Sequence, residues 1–493
     1  MINSLVPQLD SMRSFGCAHP APAPSAPKPR RLSWVEPLKG VALLWIFLNH
    51  VSERLWGGPW AGNPDGDWPA LNGRLAQLKP LHDGAPWGLA ANALRYLGWL
   101  GDAGVGVFLV VSGLGLTWAC LGRDPGEPLD TGKYLRRRVG RVFPLWIAAH
   151  VCILLGPAIA GYRVSLADSQ LYWSMLGIRV LPSQLYFGVS AWWYVTLLLQ
   201  LYLVFPLLWR VMQSGGAWGL VVLGTIALAV RAGGLFYFHH YLDAWSRGAI
   251  FITRLPEFLL GMMLAWWLHQ TAGATRGTIS RLTIAGAGCV LLACGAAASV
   301  TLIGMSVTPL LESAGAFLAL FALLAGNRGV ASTSSTRSSK APFTPGQSGA
   351  GTVNGAEGPD AAPPAPPRIR SAVNPGRRGF IPSCNSDAPR RRFASAWTTS
   401  AIPGASACET CRVDLALDWI GRHSLSLFLV HQPIVNALLP KSGSDWTPRR
   451  VLIGTVLACL ASVIGAVALE KFTSIAGKVL GDLRGRWAGA VSS

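Results

Sequence analysis

Ten apolar stretches, separated by polar or charged segments, form the main pattern along the 493-residue chain. Each is close to the length of about 20 residues that a helix needs to cross the hydrocarbon core of a bilayer. Backbone polar groups inside a membrane must be paired within the span, which favours helices. The pattern therefore predicts an all-α, polytopic membrane helix bundle with about ten transmembrane helices. The predicted spans are residues 38–56, 100–121, 140–160, 192–212, 217–235, 249–270, 282–304, 307–326, 415–438 and 450–471.

Two polar regions flank or interrupt the predicted membrane domain. Residues 1–33 hold Pro/Ala repeats and basic residues without the apolar core of a signal peptide, and we expect a disordered cytoplasmic N-terminus. Residues 327–412 are rich in Pro, Ser and Arg, which predicts a disordered insert. The insert separates eight spans, in 34–326, from the last two, in 413–472. Residues 473–493 are expected to form a cytoplasmic tail.

Composition supports a membrane protein, because 51% of the residues are hydrophobic and 13% are charged, against about 25% charged residues in soluble domains. The 42 Lys and Arg against 23 Asp and Glu give a net charge of +19. The basic residues lie between apolar segments and accompany no nucleic-acid motif, so we expect membrane lipids rather than nucleic acid as their partners. Their distribution over the connecting segments, with ten spans, predicts that both termini are cytoplasmic. We expect the protein to lie in an inner (plasma) membrane.

The first predicted span carries two ionisable side chains on one face. Lys39 and His50 are eleven residues apart, which at about 100° per residue places them on the same side of a helix, roughly 16 Å apart along its axis. An ionisable group inside a membrane helix is costly and marks a functional site by default. The imidazole suits a general base or an acyl relay, with Glu53, one turn later, orienting the ring. The alternative is a buried neutral histidine that is hydrogen-bonded to a neighbouring helix.

A pair of arginines lies at the predicted cytoplasmic entrance of the third span. Arg138 and Arg141 are three residues apart, so both guanidinium groups share one helix face. Guanidinium groups bind phosphates through forked hydrogen bonds, which indicates a site for a phosphorylated ligand. The alternative is a basic stop signal or a contact with lipid headgroups.

Three further polar side chains lie inside apolar segments. Ser112 follows a run of small residues and is either a hydrogen-bond donor near a site or a packing residue. Glu257 needs a partner, and Arg254, one turn earlier, is the nearest candidate, as a structural ion pair or in a catalytic role. His431 is a second histidine within a span, either part of a site or a satisfied core residue.

Together these separated motifs resemble the membrane acyltransferase-3 family, in the same order and over nearly all of the chain except 1–30 and 327–412. The family's Arg-x10-His pattern corresponds to Lys39-x10-His50, and its Arg-x-x-Arg motif to Arg138-Val-Gly-Arg141. The remaining matches are Phe108-Leu-Val-Val-Ser112-Gly113, Trp193…Tyr202…Pro206, Pro256-Glu257-Phe258-Leu-Leu-Gly261 and Leu429-Val-His431-Gln-Pro433.

The resemblance implies transfer of an acyl group, usually acetyl, from a cytoplasmic acyl-CoA to a hydroxyl of a cell-surface or exported glycan or glycolipid. His50 would be the catalytic histidine, with Glu53 beside it. Arg138 and Arg141 would bind the donor, together with Lys39 at the cytoplasmic end. Acyl-CoA would be a co-substrate, and we expect no bound cofactor and no metal ion. Four residues are possible supporting members of the site: Glu36, Ser112, Glu257 and His431.

The sequence departs from the family pattern at three positions. Lys39 replaces an arginine, which keeps the charge and loses the forked geometry. Glu36 stands where many members have Asp, and Leu198 where many carry Glu. A different class of protein, a transporter or flippase of a glycan or lipid precursor, would use Lys39, His50 and Glu257 as a polar pathway. A third alternative is an inactive relative that acts as a scaffold. The presence of both His50 and the Arg138–Arg141 pair argues against it.

Overall fold

The computed structural model describes residues 32–56, 86–123, 127–155, 165–237, 242–271, 280–299, 301–325, 409–441 and 447–492. Within these ranges every regular element is a helix, as the apolar pattern predicts. Residues 1–33 and the insert 327–412 are predicted to be disordered. Apart from 32–33 and 409–412, these positions lie outside the described residues.

Fourteen α-helices are described, with short 3-10 turns at Ser190–Trp192, Phe251–Arg254 and Gly304–Ser306. The helices are α1 Val35–Trp56, α2 Pro86–Trp99, α3 Ala103–Leu121, α4 Thr131–Leu155, α5 Ser169–Met175, α6 Pro182–Leu185, α7 Trp193–Tyr237, α8 Leu242–Arg247, α9 Leu255–Gln270, α10 Arg281–Ala298, α11 Thr308–Ala325, α12 Glu409–Arg422, α13 Ser424–Leu438 and α14 Pro448–Ser492.

Several of these helices are long and apolar enough to cross a membrane. Six stretches in the described residues meet both conditions, and two shorter helices, Thr308–Leu324 and Ser424–Leu438, are also apolar. The chain is therefore a helical membrane protein, while a total of ten spans stays a prediction. The six stretches are Ala103–Leu121, Thr131–Leu155, Ser190–Tyr237, Phe251–Gln270, Arg281–Ala298 and Pro448–Leu483.

The two predicted spans 192–212 and 217–235 meet at a break inside α7. Gly216 has φ 58° and ψ −148°, a conformation outside the helical region that a residue without Cβ adopts at little cost. Two helical segments therefore follow one another where the apolar pattern predicts two spans.

The predicted span 415–438 differs from the structure, which has two helices there. α12 ends at Arg422 and α13 begins at Ser424, because His423 leaves the helical region with φ −95° and ψ 16°. α12 is polar for a membrane helix, and Asp418 pairs with Arg422 at 2.5 Å. It begins at Glu409, before the predicted end of the insert at residue 412. Because α12 carries several charged residues, the length of the apolar stretch alone does not predict where this helix begins and ends.

α1 lies among several helices that follow it in the chain. Gly40 of α1 lies against the backbone of Leu417 in α12, and Gly421 of α12 lies against the backbone of Glu36 in α1. α2, which has 14 residues and is not among the predicted spans, is tied to α1 by hydrogen bonds from Trp45 Nε1 to Leu97 O, at 2.7 Å, and from Asn49 Nδ2 to Gly98 O, at 2.9 Å.

α3 runs along α1 in the opposite direction. Gly101 packs against Asn49, and Gly104 packs against Ala42 further toward the start of α1. At 1.5 Å per residue the 19 residues of α3 span about 28 Å. α3 therefore begins near the level of His50 and ends toward the end of the bundle at which α1 starts.

Close approach of α3 and α9 gives a test of the packing. A Cβ at Gly261 would overlap the carbonyl oxygen of Val110, whereas a Cβ at Gly115 would meet no atom within 4 Å. We expect Gly261→Ala to lower the free energy of unfolding by about 1–3 kcal/mol and Gly115→Ala to leave it unchanged or slightly raised. Thermal unfolding of both variants in detergent measures this, and equal midpoints would contradict the packing.

Candidate active site

His50 and Glu53 form a contact within one turn of α1. The Nδ1 atom of His50 lies 2.8 Å from Oε2 of Glu53, and His50 is 9% exposed. A carboxylate accepts a hydrogen bond from Nδ1–H, and this arrangement leaves the lone pair on Nε2. The predicted orienting role of Glu53 thus has the required geometry, with Nε2 as the atom able to take a proton.

A polar cavity of about 390 Å³ opens beside this pair, and we call it the His50 cavity. All of its described lining residues carry polar or charged side chains, which fits a hydroxyl-rich ligand better than an acyl chain. Arg54 is held there by hydrogen bonds from Nε to Leu439 O, at 2.9 Å, and from Nη2 to Asn436 O, at 2.8 Å. The lining residues are His50, Glu53, Arg54, Ser190, Gln432, Asn436 and Lys441.

Gln432 joins three parts of the chain at the His50 cavity. Its Oε1 accepts a hydrogen bond from the backbone N–H of Ala191 at 2.6 Å, and its Nε2 donates to Ser190 Oγ at 2.5 Å. The same Nε2 lies 3.4 Å from His50 Nδ1, a longer contact than that of Glu53. Neither Gln432 nor Ser190 is among the residues that the sequence predicts for the site, although Gln432 directly follows His431.

The turn that carries Ser190 is fixed by a buried arginine in the segment before it. Arg179 donates hydrogen bonds to Ser174 Oγ and to the carbonyl oxygens of Leu185 and Val189. Burial lowers the pKa of Arg179 to about 9, so the group remains charged at neutral pH. The segment 166–189 is thereby ordered around one guanidinium group.

His431 lies next to His50 although 381 positions separate them in the sequence. The two ring centroids are 5.1 Å apart, and His431 is buried. Its Nδ1 lies 2.8 Å from Phe428 O, so this nitrogen carries the proton. Of the predicted supporting residues, His431 is the one that the structure brings into contact with His50.

The predicted arginine pair lines a second cavity of about 520 Å³, which we call the Arg138 cavity. It lies where α3 ends and α4 begins. Arg138 also lies 5.8 Å from the ring centroids of Tyr134 and Tyr202. Five of the described lining residues are cationic and two are acidic, so the cavity favours an anionic ligand. The cations are Arg123, Lys133, Arg137, Arg138 and Arg141, and the acids are Glu127 and Asp130.

Ser112 lies in α3 between the two cavities. Its side chain lies beside that of Tyr194, which is buried in α7. The Tyr194 ring is 5.1 Å from that of Phe428, and Phe428 is 5.3 Å from His431. Aromatic and hydroxyl groups therefore lead from the interior of the bundle to the two histidines.

The structure places the other predicted residues away from the two described cavities. Lys39 pairs with Glu36 at 2.6 Å and is not among the described residues that line the Arg138 cavity. Glu257 is fully buried, 3.3 Å from Arg254, the predicted partner, and 3.4 Å from Arg231. The Lys39–Glu36 pair lies within α1, whereas the contact of Glu257 with Arg231 joins α9 to α7.

A buried histidine paired with a partly exposed carboxylate on the wall of a polar cavity, inside a bundle of apolar helices, defines a membrane protein with the elements of an enzyme site. A family profile described as an acyltransferase domain, that of the acyltransferase-3 family, matches residues 32–339. Because the match covers more than half of the chain, the protein belongs to this family and is a membrane acyltransferase. Searches of curated proteins and of solved structures found no match.

The family match ends before α12, α13 and α14. The residues of α13 that lie at the site, among them His431 and Gln432, are therefore outside the matched range. Their contacts with His50, Ser190 and Ala191 nevertheless assign α13 to the same bundle.

Glu53 offers a test of the histidine's environment. We expect Glu53→Gln to lower the rate of acyl transfer about 10- to 30-fold, because a neutral amide replaces a charge-assisted hydrogen bond worth about 1.4–2 kcal/mol more. The steady-state rate of acyl transfer measures this. Asp418→Asn, which removes a carboxylate from the ion pair on α12, is the matched control and should keep the wild-type rate. Equal rates for wild type and Glu53→Gln would show that Glu53 has no role.

Proposed function

We propose that this acyltransferase moves an acetyl group from cytoplasmic acetyl-CoA to a hydroxyl of a cell-surface or exported glycan or glycolipid. It acts in the plasma membrane, with ten spans and with both termini in the cytoplasm. The observation that carries the proposal is the His50–Glu53 contact at 2.8 Å on the wall of a polar cavity.

The reaction needs a base for the acceptor hydroxyl. Nε2 of His50 takes the hydroxyl proton, the oxygen attacks the thioester carbonyl carbon, and the C–S bond breaks. His50 then returns the proton to the departing thiolate of CoA. Glu53 stabilises the imidazolium that forms in between, because a carboxylate 2.8 Å from Nδ1 offsets its charge.

The Arg138 cavity supports CoA as the donor. CoA carries three phosphate groups, and the cations of this cavity supply the forked and point-charge contacts that phosphates require. The cavity lies toward the end of the bundle at which α1 begins, and we assign that end to the cytoplasm, because α4 starts there with Lys133, Arg136, Arg137, Arg138 and Arg141.

The lining of the His50 cavity supports an oxygen-rich acceptor. Its polar side chains supply donors and acceptors for sugar hydroxyls, and they offer little apolar surface to an acyl chain. The cavity lies near the opposite end of α3 from the Arg138 cavity, so the acceptor and the donor reach the reaction from different ends of the bundle.

The test is transfer of label by the purified protein. The protein, reconstituted in vesicles, is incubated with acetyl-CoA labelled in its acetyl group and with surface glycan and lipid fractions of the source cells. We expect label in the glycan or glycolipid as an alkali-labile ester. Movement of a glycan or lipid precursor across the vesicle membrane without covalent labelling would instead establish the transporter or flippase.

A further inference from the structure

His431 has a buried hydrogen-bond acceptor that no described residue uses. Its Nδ1–H donates to Phe428 O at 2.8 Å, so Nε2 carries a lone pair. His431 is 2% exposed, and Nε2 has no hydrogen-bond partner among the described residues. Such an atom is costly to bury, and the cost is recovered when a ligand supplies a donor.

The position of His431 indicates where that donor comes from. The described residues that line the His50 cavity do not include His431. Its ring contacts His50 at 5.1 Å and Phe428 at 5.3 Å, and Phe428 in turn contacts Tyr194 at 5.1 Å. Tyr194 and Tyr202 belong to the same helix, and Tyr202 contacts Arg138. His431 therefore lies on the side of His50 that leads toward the Arg138 cavity.

We propose that Nε2 of His431 accepts a hydrogen bond from the amide N–H nearest the thioester in the pantetheine arm of the acyl-CoA, and so holds the thioester beside His50. This inference rests on the proposed function, because it requires that the donor approaches from the Arg138 cavity. His431 is then a substrate-binding residue that distinguishes thioesters with an amide at this position from those without one.

The amide supplies what the buried nitrogen lacks. A buried lone pair repels an oxygen placed against it and accepts a hydrogen bond from an N–H placed there. A donor with the amide therefore gains a favourable contact, and a donor with an oxygen at that position meets an unfavourable one. A difference of about 10- to 100-fold in kcat/KM is expected between donors that differ in this group alone.

The experiment compares two short donors with purified enzyme. S-acetyl-N-acetylcysteamine carries the amide N–H two carbons from the thioester sulfur, and S,O-diacetyl-2-mercaptoethanol has an ester oxygen at that position. We expect wild type to prefer the amide about 10- to 100-fold, and His431→Leu to lose the preference. Where a short donor is not turned over, its inhibition constant against acetyl-CoA gives the same comparison.

Two further variants separate binding from folding. His431→Gln retains an acceptor oxygen and should keep part of the preference, while His269→Ala, on α9, should keep all of it. A wild-type enzyme that uses both donors equally, or a His431→Leu enzyme with an undiminished preference, would overturn the inference. Failure of wild type to transfer acetyl from acetyl-CoA itself would instead remove the proposed function.

Discussion

His50→Ala should abolish acyl transfer and leave the bundle folded. Removal of a positioned general base costs about 10²- to 10⁴-fold in rate, and here it also leaves Glu53 without its imidazole partner. His50 packs at the wall of a cavity rather than in the centre of an apolar cluster, so the truncation leaves little unfilled space. Initial rates of CoA release in the presence of acceptor, with the purified variant, measure the loss.

A matched variant separates the loss of the base from the loss of any histidine. His269 lies near the end of α9, with its ring at the edge of Trp118, and takes part in neither cavity as described. His269→Ala should retain the wild-type rate. Transfer within threefold of wild type by a well-folded His50→Ala protein would refute the assignment of His50 and, with it, the proposed reaction.

Much of the fold follows from the lengths of the apolar segments. The predicted segment 100–121 contains α3. Gly216, where the helix α7 is interrupted, lies between the predicted spans 192–212 and 217–235. α2 could not be predicted in this way, since it is short and it is held by side chains of α1 that donate hydrogen bonds to its backbone carbonyl oxygens. The break at His423 is not predicted, because the Leu, Val and Trp residues of α12 continue the apolar pattern up to that position.

The local parts of the site could be predicted, and the distant ones could not. His50 and Glu53, like Arg138 and Arg141, are one helical turn apart, and spacing alone places such residues together. The contact of His50 with Gln432 joins positions separated by the long insert, and no periodicity reports such a pairing. Lys39 is predicted to bind the donor together with Arg138 and Arg141. In the structure it instead pairs with Glu36, one turn earlier in the same helix.

The two cavities explain why the site is divided along the bundle. In the proposed reaction, the phosphates of the donor need cations that water can reach, while its thioester must lie beside the histidine that deprotonates the acceptor. Arg138 lies near the end of α3 in a cavity rich in cations, and His50, 9% exposed, lies near its beginning on the wall of a polar cavity. Between them lie Tyr202, Tyr194 and Ser112. Their rings and hydroxyl groups offer both apolar contact and hydrogen bonds to the pantetheine arm of the proposed acyl-CoA donor.

Replacement of both arginines of the Arg138 cavity should weaken donor binding far more than catalysis. Each charge-assisted contact to a phosphate is worth about 1.5–3 kcal/mol, so Arg138→Gln with Arg141→Gln should raise the KM for acetyl-CoA by about 100-fold or more. The value of kcat should change little, because the same contacts are present before and during the chemical step. Initial rates over a range of acetyl-CoA concentrations, at fixed acceptor, measure both constants.

Arg136→Gln provides the matched control for this double variant. Arg136 is on the same helix and is exposed, and it is not among the described residues that line the Arg138 cavity. Its replacement removes one positive charge with little effect on KM. Added salt should raise the KM of wild type and of Arg136→Gln more than that of the double variant, since screening acts on contacts that the double variant lacks. An unchanged KM in the double variant would assign Arg138 and Arg141 to lipid headgroups, as the alternative reading of this basic cluster holds.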